Sequence, residues 1–289
     1  MSSNDTATIG LGINTMVWSG GYEERQLGLF QRIRDWGYDV VELAIFDFAA
    51  VDPAPIRHAL ADTGLAVTVS SALPAGFSLV SADGAMRART RSWMQSAVEK
   101  VAAIGGSILA GPLYLPVGEL PGRRRSPDEW NRAVDEFRDL GAAIQASGTR
   151  IALEPLNRFE TYFLNTADDA CRLCDEVADN SIGVLFDTFH ANIEEDDPIA
   201  ALRSLRRHLI HVHLSENHRG IPGSGHVPFQ SVAQALSDAE YSGYAVVESF
   251  ASTIPEIVRA TAMWRDFAES PDEFARRSIE NMQPLFARA

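Results

Sequence analysis

Residues 182–187 read Ile182-Gly183-Val184-Leu185-Phe186-Asp187, an unbroken apolar run closed by a carboxylate. A strand with one solvated face alternates apolar and polar residues, whereas an unbroken run belongs to a strand covered on both faces. Helix-period segments flank it, Ala167–Val177 before and Ile199–Leu205 after. A buried strand set between helices is the repeating unit of a parallel α/β sheet.

The same alternation continues in both directions. Toward the N-terminus the expected strands are Ile9–Asn14, Val40–Leu43, Ala66–Val69, Ser107–Ala110 and Arg150–Leu153. The helices between them are Glu23–Trp36, Pro53–Thr63, Ala85–Ile104 and Pro127–Ala146. Toward the C-terminus come strands Leu209–His213 and Tyr244–Val247, with helix Phe229–Ala239 between them and further helical segments to the end. Eight such units predict a closed (β/α)8 barrel (a TIM barrel) in preference to a doubly wound sheet. A barrel of this kind takes about 250 residues, so the 289 residues are expected to form one domain over 1–289, with an extra C-terminal helical segment and a disordered start over 1–7. Ser126-Pro127-Asp128-Glu129 and Ser270-Pro271-Asp272-Glu273 carry capping-box signatures that set helix starts, and Thr166 with Asp169 is a weaker version.

Composition narrows the function. The hydrophobic fraction of 46% and charged fraction of 22% are ordinary for a globular chain. A formal net charge of -14 opposes nucleic acid, whose binders need a basic patch, and opposes an anionic membrane surface. Two cysteines, Cys171 and Cys174, make no disulfide framework. No signal peptide and no membrane-spanning run are legible, so the expected location is the cytoplasm. No glycine-rich phosphate loop follows the first strand, and no nucleotide cofactor is expected.

In a (β/α)8 barrel the active site lies at the C-terminal ends of the strands. Four polar residues close successive strands there: Glu154, Asp187, His213 and Glu248. A lone carboxylate at such a place is commonly a solvated loop residue or a helix cap. Neighbouring strands sit about 5 Å apart, however, so four in succession can converge. Three carboxylates and an imidazole form an oxygen-rich set suited to Mn²⁺ or Mg²⁺, with Co²⁺ tolerated and zinc less favoured. Without a cation the carboxylates would repel one another. Glu160, His190 and Arg219 crowd the same rim, the last in a glycine-rich loop, His218–Pro228, able to fold over a ligand. His211 shares a strand face with His213 and reads as a hydrogen-bonded core histidine. Glu42, closing the second strand, is either a pocket residue, a support behind the ligands or a structural ion-pair member. Trp18 either stacks on the apolar face of a sugar or plugs the barrel mouth.

These residues fall in recognisable blocks: Glu154-Pro155-Leu156-Asn157-Arg158-Phe159-Glu160, Phe186-Asp187-Thr188-Phe189-His190, His211-Val212-His213-Leu214 with Asn217-His218-Arg219-Gly220, and Val247-Glu248-Ser249-Phe250. In order and spacing they resemble the D-tagatose 3-epimerase, D-allulose (psicose) 3-epimerase and L-ribulose 3-epimerase group of the xylose-isomerase-like barrels. The resemblance is specific over the C-terminal half and looser before it. It implies that Glu154, Asp187, His213 and Glu248 hold the metal, with Mn²⁺ foremost, and that His190, Arg219 and Glu160 face a free ketose. It also implies a homodimer or homotetramer. Inverting C3 of a ketose needs a base on each face of the sugar, and Glu154 and Glu248, on strands five and eight, form that pair. The pocket wall departs from the group: Ser70-Ser71 stand where relatives often carry Cys or Gly, and Gly111–Pro116 replaces an aromatic-containing stretch. Ser71 is therefore expected to touch substrate beyond the reacting carbons, and the choice of sugar is left open.

Two further motifs and several rival functions stand beside this reading. Cys171-Arg172-Leu173-Cys174 falls inside a predicted helix without a second pair, which favours a structural role over redox or zinc chemistry. Arg123-Arg124-Arg125 is either a phosphate grip or a solvated loop. The rivals are a hydroxypyruvate isomerase or inosose dehydratase on the same scaffold, an endonuclease IV-like nuclease, and a non-catalytic sugar-binding barrel. The charge opposes the nuclease. Four intact ligand positions oppose the non-catalytic barrel.

Overall fold

The computed structural model describes residues 9–286; the expectation of a disordered start over 1–7 lies outside them. Eight parallel strands close into a barrel in sequence order: β1 Ile9–Asn14, β2 Val40–Ala44, β3 Ala66–Ser70, β4 Ile108–Gly111, β5 Arg150–Leu153, β6 Ile182–Asp187, β7 Leu209–Leu214 and β8 Gly243–Val247. Closure comes from pairing β1 with β8, where Ile9 meets Gly243 and Ile13 meets Val247. Around the sheet run helices α1 Phe30–Asp35, α2 Pro53–Thr63, α3 Gly84–Ile104, α4 Pro127–Ser147, α5 Ala167–Val177, α6 Thr188–Glu194, α7 Pro198–Leu205, α8 Phe229–Asp238, α9 Pro255–Thr261 and α10 Pro271–Phe286. Among the described residues no helix is long and apolar enough to cross a membrane.

α4 illustrates how sequence sets these elements. Ser126 caps it, accepting from the Glu129 backbone N–H while Glu129 reaches back to the Ser126 N–H. Trp130, Val134, Phe137, Leu140 and Ile144 recur at helical spacing and are all buried against the sheet. Gly148 ends it at φ 73°, the left-handed conformation a glycine adopts without penalty. Ser270 likewise caps α10, accepting from the Glu273 N–H, although Glu273 binds the N–H of Glu269 in place of that of Ser270.

Two elements differ from expectation. The single helix over Glu23–Trp36 is a 3₁₀ segment, Glu24–Leu29, leading into the short α1. Gln26 there is buried and donates to Ser19 Oγ at 2.6 Å, and Gly28 weakens continuous helix. The helix α6 carries no expectation at all, being seven residues long.

The barrel interior is not wholly apolar. Asn14, Glu42, Thr68, His211 and His213 are each 0% exposed. Glu42 on β2 reaches His211 on β7 at 2.6 Å, although β1 and β8 separate those strands in the sheet. The contact therefore crosses the barrel. The last helix, α10, packs against β1. It is tied there by Tyr38 Oη–H donating to the Ala275 carbonyl at 2.8 Å and by an ion pair between Arg32 and Asp272.

Gly111 closes β4 at φ 132°, and a Cβ at that position would collide with the Ser71 carbonyl oxygen. Both the conformation and the approach require glycine. Gly111→Ala is expected to destabilise the protein by more than about 1 kcal/mol, read as a fall in Tm; an unchanged Tm would show that the β3–β4 contact relaxes freely.

Candidate active site

Strand ends deliver the four converging residues. Glu154 follows β5, where its N–H continues the ladder to the Gly111 carbonyl at 3.1 Å. Asp187 is both the last residue of β6 and the cap of α6: its Oδ1 accepts from the Phe189 N–H at 2.6 Å, leaving Oδ2 toward the barrel mouth. Asp187 pairs in register with His213 of β7. Glu248 follows β8. One donor atom from each of Glu154, Asp187, His213 and Glu248 lies within 4.8 Å of all the others. All four side chains are buried.

His213 is the best indicator of what this cluster can hold. Its Nε2 meets Glu42 Oε1 at 2.7 Å. Its Nδ1 is buried without a hydrogen-bond partner, 3.3 Å from Glu248 Oε1 and 3.8 Å from Asp187 Oδ2. An orphaned ring nitrogen facing three carboxylates is a misfit for a closed hydrogen-bond network, and it fits a cation bound between them. The donor set, three carboxylates and one imidazole, suits a divalent ion of the Mn²⁺ or Mg²⁺ type.

The electrostatics agree. Burial and the charge of Glu248 raise the Glu154 carboxyl well above the usual range. Burial opposes ionisation of Asp187 too, but the charges of Arg219, His190 and His213 overcome it and hold that carboxyl low. Burial alone would lower His213; Glu248 and Glu42 outweigh it and raise its pKa well above the ordinary value. A bound cation would supply the positive charge that these groups otherwise draw from protons.

Above the cluster opens a cavity of about 230 Å³, far beyond the roughly 30 Å³ share of one liquid water. Glu160, His190, Arg219 and Ser71 all line it. The Ser71 hydroxyl is buried and unpartnered. Glu160 Oε1 accepts from Asn157 Nδ2 at 2.7 Å. The backbone N–H of Asn157 donates to His190 Nδ1 at 3.1 Å, so in the neutral ring the proton sits on Nε2, 3.6 Å from Glu154 Oε1, and Arg219 Nη2, which only donates, lies 3.2 Å from that nitrogen as a close contact. Burial lowers the pKa of His190 to about 4, leaving a neutral N–H donor at the cavity. Arg219 Nη1 donates to Asp187 Oδ2 at 2.9 Å and Glu248 Oε2 at 2.8 Å. Its backbone is left-handed at φ 60°, a strained conformation for a long side chain, and its guanidinium lies 4.1 Å from the Phe189 ring centroid.

Two expected pocket residues lie elsewhere. The Trp18 ring stacks on Trp36 at 6.4 Å with an interplanar angle of 7°, and its Nε1–H donates to Asp272 Oδ1 at 2.8 Å. It packs toward α10 and is not among the residues that line the cavity. Glu42 lies beneath His213, fully buried, and is also outside the cavity lining. Arg123 is bidentate to Glu129, both contacts at 2.8 Å, and Arg125 is bidentate to Asp169 at 2.8 and 2.6 Å. Those two guanidinium groups are committed to helix starts. The cysteine pair lies within α5, free, with burial pushing Cys171 up to about 11 and Cys174 up to about 12, the opposite of a reactive thiol.

Sequence reasoning also missed Glu216. It is 0% exposed and accepts from the N–H groups of Val227 at 3.0 Å and Gly223 at 2.8 Å. It thereby fixes the loop that presents Arg219. No periodicity marks such a residue; only a buried carboxylate in a glycine-rich loop would have suggested it.

Residues 30–285 match the family model described as the xylose isomerase-like TIM barrel. A probable ketose 3-epimerase of Synechocystis sp. is 30% identical over 278 residues, 96% of this chain and 97% of that one. The chain belongs to the ketose 3-epimerase family. An L-ribulose 3-epimerase of Mesorhizobium japonicum is 33% identical across 89% of this chain and 87% of its own. Among solved structures, the D-allulose 3-epimerase of Methylomonas sp. in complex with D-allulose superposes with a TM-score of 0.90 at 30% identity, covering 96% of this chain and 98% of that one. As a ketose 3-epimerase family member, the protein is a carbohydrate epimerase on a closed eight-stranded barrel.

Proposed function

We propose that this protein inverts C3 of free ketoses, using Glu154 and Glu248 as paired acid–base groups around a divalent cation, Mn²⁺ foremost, held by Glu154, Asp187, His213 and Glu248. The observation that carries the reading is the convergence of these four residues, with the unpartnered His213 Nδ1 among them, on one buried point beneath the cavity. When bound, the cation supplies a Lewis acid that steadies negative charge developing on the sugar's oxygens.

The chain's own groups do the rest. His190 offers a neutral N–H and Arg219 a fixed guanidinium to sugar oxygens, and Glu160 accepts from a hydroxyl. One glutamate takes the C3 proton, and the C–H electron pair passes into the C2–C3 bond as the C2 carbonyl becomes an enediolate. The other glutamate, as its carboxylic acid, returns a proton to the opposite face of C3. Burial of both carboxyl groups keeps bulk water from exchanging with the intermediate.

Arg123 and Arg125 are occupied by Glu129 and Asp169, which supports an unphosphorylated substrate. The test is a panel of D-fructose, D-tagatose and L-ribulose with their phosphate esters, each with added Mn²⁺ and read for C3 epimers by chromatography. Free ketoses are expected to give the higher kcat/KM. A strong preference for a phosphate ester, abolished by replacing Arg123 and Arg125, would overturn the claim.

A further inference from the structure

His213 belongs to two overlapping clusters, one with Glu154, Asp187 and Glu248 and the other with Glu42 and His211. The second cluster is already saturated. Asn14 Nδ2 at 2.9 Å and His213 Nε2 at 2.7 Å both reach Glu42 Oε1. Thr68 Oγ1 at 2.9 Å and His211 Nε2 at 2.6 Å both reach Oε2. A carboxylate has about four lone-pair sites, and four groups fill them, so no position is left for a cation on that side. Asn14 Nδ2 and Thr68 Oγ1 each donate to one carboxylate oxygen and an imidazole Nε2 meets each of the same oxygens, so Glu42 accepts throughout and both imidazoles donate through Nε2–H. In the neutral ring that can bind a cation, Nδ1 then keeps its lone pair, and the Nδ1 atoms of His211 and His213 are both buried without a hydrogen-bond partner.

We infer that Glu42 is the positioning residue that makes His213 a metal ligand: by holding Nε2–H from across the barrel it fixes the tautomer and turns the Nδ1 lone pair toward Glu154, Asp187 and Glu248. Such partners typically change metal affinity by about 10–100-fold when replaced. The inference rests on the proposed metal site but makes a separate claim about Glu42. Glutamine at this position offers a single oxygen, and its amide nitrogen cannot accept from an imidazole N–H. Competition among Asn14, His211 and His213 for what remains releases His213.

The experiment uses chelator-treated full-length protein titrated with Mn²⁺ alone, with free ion read by electron paramagnetic resonance. In parallel, ¹⁵N shifts of the histidine rings, read in metal-free protein at alkaline pH where the His213 ring is neutral, report its tautomer. Glu42→Gln is expected to weaken Mn²⁺ binding by roughly 10–100-fold and to shift the His213 pattern away from Nε2–H. If Glu42→Gln does not fold, Glu42→Asp, which withdraws the carboxylate by one methylene, is read for the same two changes. A purely structural role would lower Tm in chelator and leave tautomer and affinity alone. Wild-type Mn²⁺ affinity in the variant overturns the inference about Glu42. Failure of the wild-type protein to take up Mn²⁺ overturns the proposed metal site.

Discussion

Glu248→Gln is expected to lower kcat by about 10²–10⁴-fold, the usual contribution of a general acid–base group, while the protein still takes up its cation. Glutamine keeps the length of glutamate and one oxygen able to ligate, but it cannot carry a proton. Glu154→Gln should do the same. The argument is stereochemical: a single base that returns the proton to the face it came from regenerates the starting sugar, so inversion needs a second donor. Wild-type turnover in D₂O should place deuterium at C3. Either Gln variant can still exchange C3 hydrogen on the face served by the surviving glutamate, without epimer formation. A Glu248→Gln protein that binds Mn²⁺ normally and epimerises at the wild-type rate would end the two-base mechanism.

Removing the cation is expected to have the second large effect, complete loss of turnover. A ligand that binds only the native state stabilises it by about 2.7 kcal/mol at a hundredfold excess over Kd. Chelation should therefore lower Tm, and Mn²⁺ should restore Tm and activity together. The metal-free chain should stay folded, because the strands and α4 bury apolar faces independently of the site. In that state Glu154, raised by burial and by Glu248, takes up a proton more readily than an ordinary carboxyl. Full activity in metal-free protein would refute the claim.

The barrel was legible because its strands are continuous apolar runs, and each structural strand overlaps its expected run to within a residue at either end. The four strand-end residues were legible for the same reason: a carboxylate or imidazole closing such a run is conspicuous. What escaped was set by tertiary contact. The seven residues of α6 are too few to display a 3.6-residue period. Trp18 follows its strand as a pocket residue would, yet Asp272, far along the chain, decides where its indole turns. Asn157, which fixes the His190 tautomer, and Glu216, which fixes the Arg219 loop, are polar loop residues whose partners no local pattern names. Glu42 was noticed at the sequence level, but only the crossing of the barrel distinguishes a support beneath His213 from a pocket wall.

The β1–β8 seam also governs the order of events during synthesis. The barrel's first strand to leave the ribosome needs the barrel's last: Ile9 pairs with Gly243, and α10, which packs on β1, ends at Phe286. Until residues 243–286 emerge, the nascent chain carries an apolar strand with one bare edge and an uncovered face. Such an edge invites pairing with other chains. Vectorial synthesis cannot finish this barrel piecemeal from β1 onward, and the growing chain's need for chaperone protection at β1 lasts until residues 243–286 have emerged.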